Sequence, residues 1–254
     1  MKKHIKILAF LALATFTITS CSKSNDEAKA PAQDNAQKVL AYIENLGFPK
    51  GSIREEKDEF IVEEDIIFSK NMQVPADLGK GAKTEQYYTG STVSVANSKN
   101  IRLRIDASMT SMTAEINSAI NQWNTVPNCT IKWVIAPAGG AYDVTIQDYN
   151  LGSGVCGQGT FPSGGVAGNL IRINKAYIAG NSFAQRQRTI THEMGHNVSF
   201  RHTNWASIGE PSATQVPGTG TSDASSIMNG GQCGSGATVL SARDKQAAAV
   251  LYPL

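Results

Sequence analysis

Hydrophobic positions change their spacing several times along this 254-residue chain. Ile7 to Ile18 is an uncharged, mostly apolar run behind a basic start that holds Lys2, Lys3 and Lys6. At 12 residues it is too short to span a bilayer comfortably and reads as a secretory signal. Ser22 to Asp34 is small and polar without apolar periodicity, the pattern of a flexible tether. Val39, Leu40, Ile43 and Leu46 then recur at near-helical spacing until Gly47-Phe48-Pro49 stops the run. Phe60-Ile61-Val62 and Ile66-Ile67-Phe68 are β-rich and flank the acidic triplet Glu63-Glu64-Asp65, giving a small α+β segment.

From about Ser94 the pattern changes. Ile101, Leu103 and Ile105 alternate with arginines, predicting a half-buried strand, and Ile116, Ala119, Ile120 and Trp123 share one helix face. Ile131, Trp133 and Ile135 alternate again, as do Val144 and Ile146. Gly152 to Gly168 holds seven glycines and predicts a loop, followed by a short strand at Leu170 to Ile173. Ser182 opens a long helix, with Gln185 three residues on as in a capping box and Phe183, Ile190, Met194 and Val198 on its apolar face. Ser241, with Asp244 three residues on, opens a last helix that Pro253 terminates. This order predicts an α+β fold, a twisted mixed sheet covered by helices.

Composition narrows the function. Lys+Arg is 23 and Asp+Glu is 21, a balance that argues against a nucleic-acid partner. Without residues 1–20 three lysines and no acid are lost, and the net charge of +2 becomes −1. Histidine is scarce and concentrated. Of four, His4 lies in the leader and His192, His196 and His202 fall within eleven residues of one another. Three cysteines, Cys129, Cys156 and Cys233, allow three single pairings with one left over, and none has the C-x-x-C spacing of a zinc site.

His192-Glu193-Met194-Gly195-His196 carries the chemistry. On a helix, residues four apart share a face, so both imidazoles can meet one metal ion. Glu193 sits one step round, placed to act on a water as general base without being a ligand. His202 would lie more than ~9 Å along a continuous helix from His196, so the helix must break and turn back to bring in the third imidazole. Three histidines and one open position make a catalytic zinc site.

These residues resemble a known family. His192-Glu193-x-x-His196-x-x-Ser199-x-x-His202 is similar to the extended zinc motif of the metzincin metallopeptidases, with Ser199 in place of the family's glycine. Ser226-Ile227-Met228-Asn229 resembles their methionine turn. Gly230 stands where some members carry a tyrosine that assists at the metal. Arg201 to Trp205, Val216 to Thr219 and Leu251-Tyr252-Pro253 resemble the bacterial dual-action HEIGH metallopeptidases. The resemblance implies a metzincin-like fold with active-site helix, Met-turn and C-terminal helix. It also implies zinc-dependent endopeptidase activity through a zinc-bound water, with His192, His196 and His202 as ligands and Glu193 as base. Protein or peptide is the implied substrate, paired along a sheet edge, with Gly157 to Gly168 as one candidate wall.

Two further resemblances set the context. Ile18-Thr19-Ser20-Cys21 resembles the bacterial lipobox, which implies lipidation of Cys21 and an outer-membrane lipoprotein anchored outside the cytoplasm. A plain secretory signal cut after Ser20 is the alternative. Ser22 to Glu27 resembles the acidic signals that send some lipoproteins to the cell surface. Val62-Glu63-Glu64-Asp65 resembles the F-x-G-D segment of astacin-type propeptides, which implies Asp65 as a latency switch on the zinc; a solvated acidic turn is the alternative. The expected organisation is a signal peptide (1–20), a lipid-anchored tether (21–34), a pro-region or accessory domain (35–93) and a catalytic domain (94–254). The competing functions are an inactive surface binding module on the same scaffold and a zinc hydrolase of cell-wall peptides.

Overall fold

The computed structural model describes residues 31–74, 87–211 and 213–254. The signal segment and Cys21 lie outside the described residues. The tether reading is corrected at its end: helix α1 (Pro31–Asn45) already includes Pro31 to Asp34. Proline suits a first helical turn, where its missing N–H has no partner to lose. Gly47, at φ 97°, ends the run as its position suggests.

Strands β1 (Ile53–Glu55), β2 (Glu59–Val62) and β3 (Ile66–Ser69) follow as antiparallel neighbours. The β2–β3 turn has positive φ at both central residues, 56° at Glu63 and 60° at Glu64. That is the type I′ hairpin pattern, usually given to Asn-Gly. Each non-glycine residue in this region costs ~1–2 kcal/mol, so other contacts must hold the turn. Arg54 supplies one by donating to both Glu64 carboxylate oxygens, at 3.2 and 2.9 Å. Gln158 supplies another, donating to the Glu64 carbonyl at 2.9 Å.

Next come β4 (Tyr87–Tyr88), α2 (Val95–Ser98), β5 (Ile101–Ile105), α3 (Thr113–Asn124), β6 (Trp133–Ile135) and β7 (Val144–Asp148). The glycine-rich stretch is not wholly a loop: β8 (Gly157–Thr160) runs through its middle. Its glycines divide by task. Gly152, Gly154, Gly164 and Gly165 take positive φ in the flanking turns. Gly157 and Gly159 serve close approach, since a Cβ at Gly157 would meet the Glu193 carboxylate at 2.6 Å. The chain continues through β9 (Leu170–Ile173), α4 (Lys175–Ile178), α5 (Phe183–Asn197), β10 (Thr214–Gln215) and α6 (Ala242–Leu251).

Eight of the strands form one mixed sheet in the order β1-β2-β3-β8-β9-β7-β5-β6, and β4 pairs antiparallel with β10 apart from it. The four strands β9, β7, β5 and β6 pair in parallel, and β8 is antiparallel to β9. The N-terminal hairpin joins through β3, which is parallel to β8. Ile135 departs from its predicted inward place and is 43% exposed, because β6 is an edge strand. Beneath the sheet α3 and α5 pack together around Ile116, Trp123, Ile190 and Met194. A second apolar cluster joins α1 to the hairpin through Val39, Ile43, Phe60 and Phe68 and ends on Phe161.

Ser182 caps α5 by accepting from the Gln185 amide at 3.3 Å, but Gln185 donates to the Gly236 carbonyl rather than completing the box. Ser241 and Asp244 do form a reciprocal capping box on α6. Cys156 and Cys233 form a disulfide, and Cys129 is free and buried. No helix among the described residues is long and apolar enough to cross a membrane.

Candidate metal centre

Helix α5 presents His192 and His196 on one face, both buried. The chain then leaves the helix, as the position of His202 requires. Ser199 takes φ 84°, the Phe200 amide donates to the Gly195 carbonyl at 3.0 Å, and the backbone reverses. Serine at a glycine position is compensated by partners. Its hydroxyl lies 2.8 Å from the Thr89 hydroxyl, and the Thr89 amide donates to the Ser199 carbonyl at 3.1 Å.

The turn brings three imidazoles together. The Nε2 atoms of His192 and His196 are 3.1 Å apart, and those of His192 and His202 are 3.2 Å apart. Four ligands at ~2.0–2.1 Å in tetrahedral array would be separated by ~3.4 Å, so this spacing fits one zinc ion. The fourth vertex is filled by Asp65, whose Oδ2 lies 3.3, 3.3 and 2.7 Å from the Nε2 atoms of His192, His196 and His202. The sequence-predicted zinc ligands and the predicted switch residue thus meet at one point.

Each ring is also held from behind, which fixes its tautomer and aims Nε2 inward. His192 Nδ1 donates to the Ile227 carbonyl at 2.8 Å, and His196 Nδ1 to the Phe200 carbonyl at 2.7 Å. His202 Nδ1 pairs with the Glu210 carboxylate at 2.5 Å. Glu210 escaped the sequence reading. Its signal was an acid a few residues beyond the third histidine, too common a feature to single out.

Met228 lies beneath the centre, fully buried, against Gly195, where a Cβ would stand 2.4 Å from its sulfur. The Met-turn is tied down on three sides. The Asp244 carboxylate accepts from the Ile227 amide at 2.8 Å and the Ser226 hydroxyl at 2.6 Å. The Thr203 amide donates to the Met228 carbonyl at 2.9 Å, and Asn204 Oδ1 accepts from the Gly230 amide at 2.8 Å. Gly230 lies flat under the His202 ring, where a Cβ would stand 2.7 Å away.

Burial and these contacts set the charge on each group. Burial lowers His192 to about 4, so it is neutral with a free Nε2 lone pair. Burial also works against charge on His202, but hydrogen bonds to Asp65 and Glu210 outweigh it and hold this ring up at about 10. Burial alone would raise Asp65; the three histidines override it and keep the carboxyl well below the usual range. Glu193 is only 2% exposed, and its Oε2 has no hydrogen-bond partner among the described residues. Burial, then the Asp65 charge, raises its pKa well above the ordinary value. Glu63, whose carboxyl faces Glu210, is pushed up to about 8 by burial and by that neighbour.

An open cavity of about 410 Å³ adjoins the centre, lined by His192, Glu193, Gly157, Cys233, Arg188 and residues of the N-terminal hairpin. Of the candidate wall Gly157 to Gly168, only Gly157 lines it.

Two helical imidazoles, a third returned by a turn, and a buried carboxylate beside them define a metal-dependent hydrolase centre. The family comparison agrees: residues 60–252 match the model of the dual-action HEIGH metallopeptidases, and the chain belongs to that family. It is a metallopeptidase. No curated protein sequence matches it. Among solved structures it is similar to a crystal structure of myroilysin, with 17% identity and TM-score 0.47 over 69% of this chain and 93% of that one. A second myroilysin structure gives 16% identity and TM-score 0.43 over 62% and 94%.

Proposed function

We propose that the chain is a zinc endopeptidase made as a latent precursor, in which the N-terminal hairpin blocks the centre. The observation that carries this reading is the near-tetrahedral set of three Nε2 atoms completed by the Asp65 carboxylate. Bound zinc would supply Lewis-acid polarisation of a peptide carbonyl and acidification of the attacking water. His192, His196 and His202 would hold it, with Ile227, Phe200 and Glu210 orienting the rings.

Glu193 takes the proton from the attacking water and returns it to the leaving amine nitrogen. Its dry, carboxylate-flanked position favours the protonated form while Asp65 is present, so the latent arrangement also disarms the base. Gly157 and Gly159 let the backbone of β8 pass close to Glu193 and His196. An extended substrate would pair with this edge through its main chain. In the precursor β3 holds that edge: Gly159 donates to the Asp65 carbonyl at 3.0 Å. Arg201, stacked 3.9 Å over Phe48 and donating to the Leu46 carbonyl at 3.3 Å, clasps the N-terminal segment from the other side.

The proposed location is outside the cytoplasm, anchored to the outer membrane through lipidated Cys21, on the resemblance of residues 18–21 to a lipobox. The test is digestion of unfolded casein and of muropeptides by the Asp65→Ala chain, before and after chelation and with zinc restored. Zinc-dependent casein cleavage is the expected result. Cleavage of muropeptides alone would favour the cell-wall reading, and stoichiometric zinc without any cleavage the binding-module reading.

A further inference from the structure

Arg188 is the most unusual charge beside the centre. It precedes His192 by four residues on α5, so it shares that face one turn, ~6 Å, towards the helix start. It lines the cavity, yet its side chain is buried, with the residue only 4% exposed. Its Nη2 donates to the Asn229 carbonyl at 2.8 Å, to Gln232 Oε1 at 3.2 Å and to the Ile227 carbonyl at 3.4 Å. All three acceptors are neutral. Its Nε has no hydrogen-bond partner among the described residues. A desolvated guanidinium without a carboxylate is costly, and an anionic ligand offsets that cost.

The charges around Arg188 are arranged accordingly. Glu193, Asp65 and Asp244 act on it from a distance. Asp244 is committed to the Met-turn, Glu193 to the proton transfer, and Asp65 leaves when the hairpin leaves. Activation therefore leaves Arg188 less compensated than the precursor does.

Position then selects the substrate residue. Glu193 must reach the leaving amine, so the leaving half of the peptide lies on its side of the metal. Arg188 lines the same cavity as His192, Glu193, Gly157 and Cys233. The disulfide from Cys156 to Cys233 ties the residue before β8 to the loop after the Met-turn, and both cysteines line this cavity. We propose that the cavity holds a specificity pocket in which Arg188 receives the carboxylate of an Asp or Glu side chain on the residue directly after the scissile bond. This rests on the peptidase reading above. A charge-assisted pairing of this kind discriminates strongly against the neutral amide, because a buried cation is otherwise left without a counter-charge.

The test compares peptides that differ only after the scissile bond, carrying Glu, Gln, Leu or Lys, cleaved by the Asp65→Ala chain and by the same chain with Arg188→Gln or Arg188→Lys. The parent should prefer Glu over Gln in kcat/KM by about tenfold or more. Arg188→Gln, which keeps an amide donor for the neutral acceptors, should bring that ratio near one, and Arg188→Lys should retain part of it. An unchanged ratio in Arg188→Gln would overturn the proposal and leave Arg188 as a brace for the Met-turn loop. Calorimetric titration of the zinc-loaded chains with the dipeptide amides Glu-Leu and Gln-Leu, products of such cleavage, decides the same point without turnover. Preference for Glu-Leu that Arg188→Gln abolishes supports the pocket, and equal binding by the parent overturns it. Failure to cleave any peptide would refute the peptidase reading, and the titration would still judge the pocket.

Discussion

Replacing Asp65 by alanine removes a carboxylate oxygen that faces all three imidazoles. Asp65 Oδ2 lies 2.7 Å from His202 Nε2 and 3.3 Å from those of His192 and His196, the place of a fourth ligand when zinc is bound. Taking the set together as ~3 kcal/mol, the balance between closed and open hairpin would shift about 150-fold. Strand pairing remains, however. Ile66 and Ile67 stay opposite Gly159 and Thr160, and Arg172 keeps its ion pair with Glu59. The shift in the balance is thus an upper limit, and a ten- to hundredfold rise in basal activity of the unprocessed chain is expected, on the order of that shift less the residual pairing. The assay is release of fluorescent fragments from labelled casein, with zinc content measured on the same samples. Zinc should stay near one per chain, since three histidines suffice. Full zinc content with no rise in activity would refute the role given to Asp65.

Glu210→Gln should weaken zinc affinity about 10–100-fold by loosening His202, read by competition with a chelating dye. Gly230→Ala should all but abolish zinc binding, because the new methyl occupies the place of the His202 ring. Glu193→Gln should raise the melting temperature of the metal-free chain at pH 7 but not at pH 4. A carboxyl whose pKa is raised by folding destabilises the folded state only as pH climbs above its unfolded value of about 4.3. Equal gains at both pH values would contradict this. Reducing the disulfide, which closes a 77-residue separation, should cost about 4.5 kcal/mol in the chain-entropy model. That is on the order of a 10 °C fall in melting temperature, checked by calorimetry with and without reductant.

The sequence announced what depends on local spacing. Histidines at i and i+4, most residues of the helix faces and both N-cap serines are set within a few positions, and Ser241 with Asp244 forms the predicted box; Phe183, expected on the apolar face of α5, is instead 46% exposed in its first turn. The turn at Ser199 was legible because geometry required a reversal before His202. What stayed hidden depends on long-range pairing. A strand of Gly-Gln-Gly-Thr has no apolar alternation, and β8 exists because β3 and β9 flank it. That the hairpin would extend the catalytic sheet, rather than stand apart, follows from the same pairing. Cys156 and Cys233 could not be matched without the fold, and Glu210 gained meaning only when its partner ring was placed. The helix at Pro31 was missed because polar residues precede its first apolar position.

The central claim is a three-histidine zinc site whose chemistry depends on Glu193. Metal analysis and casein digestion with the Asp65→Ala chain and its Glu193→Ala counterpart, run in parallel, test it most directly. One zinc per chain in both, with digestion lost only in Glu193→Ala, is the predicted result. Equal digestion by the two would contradict the account.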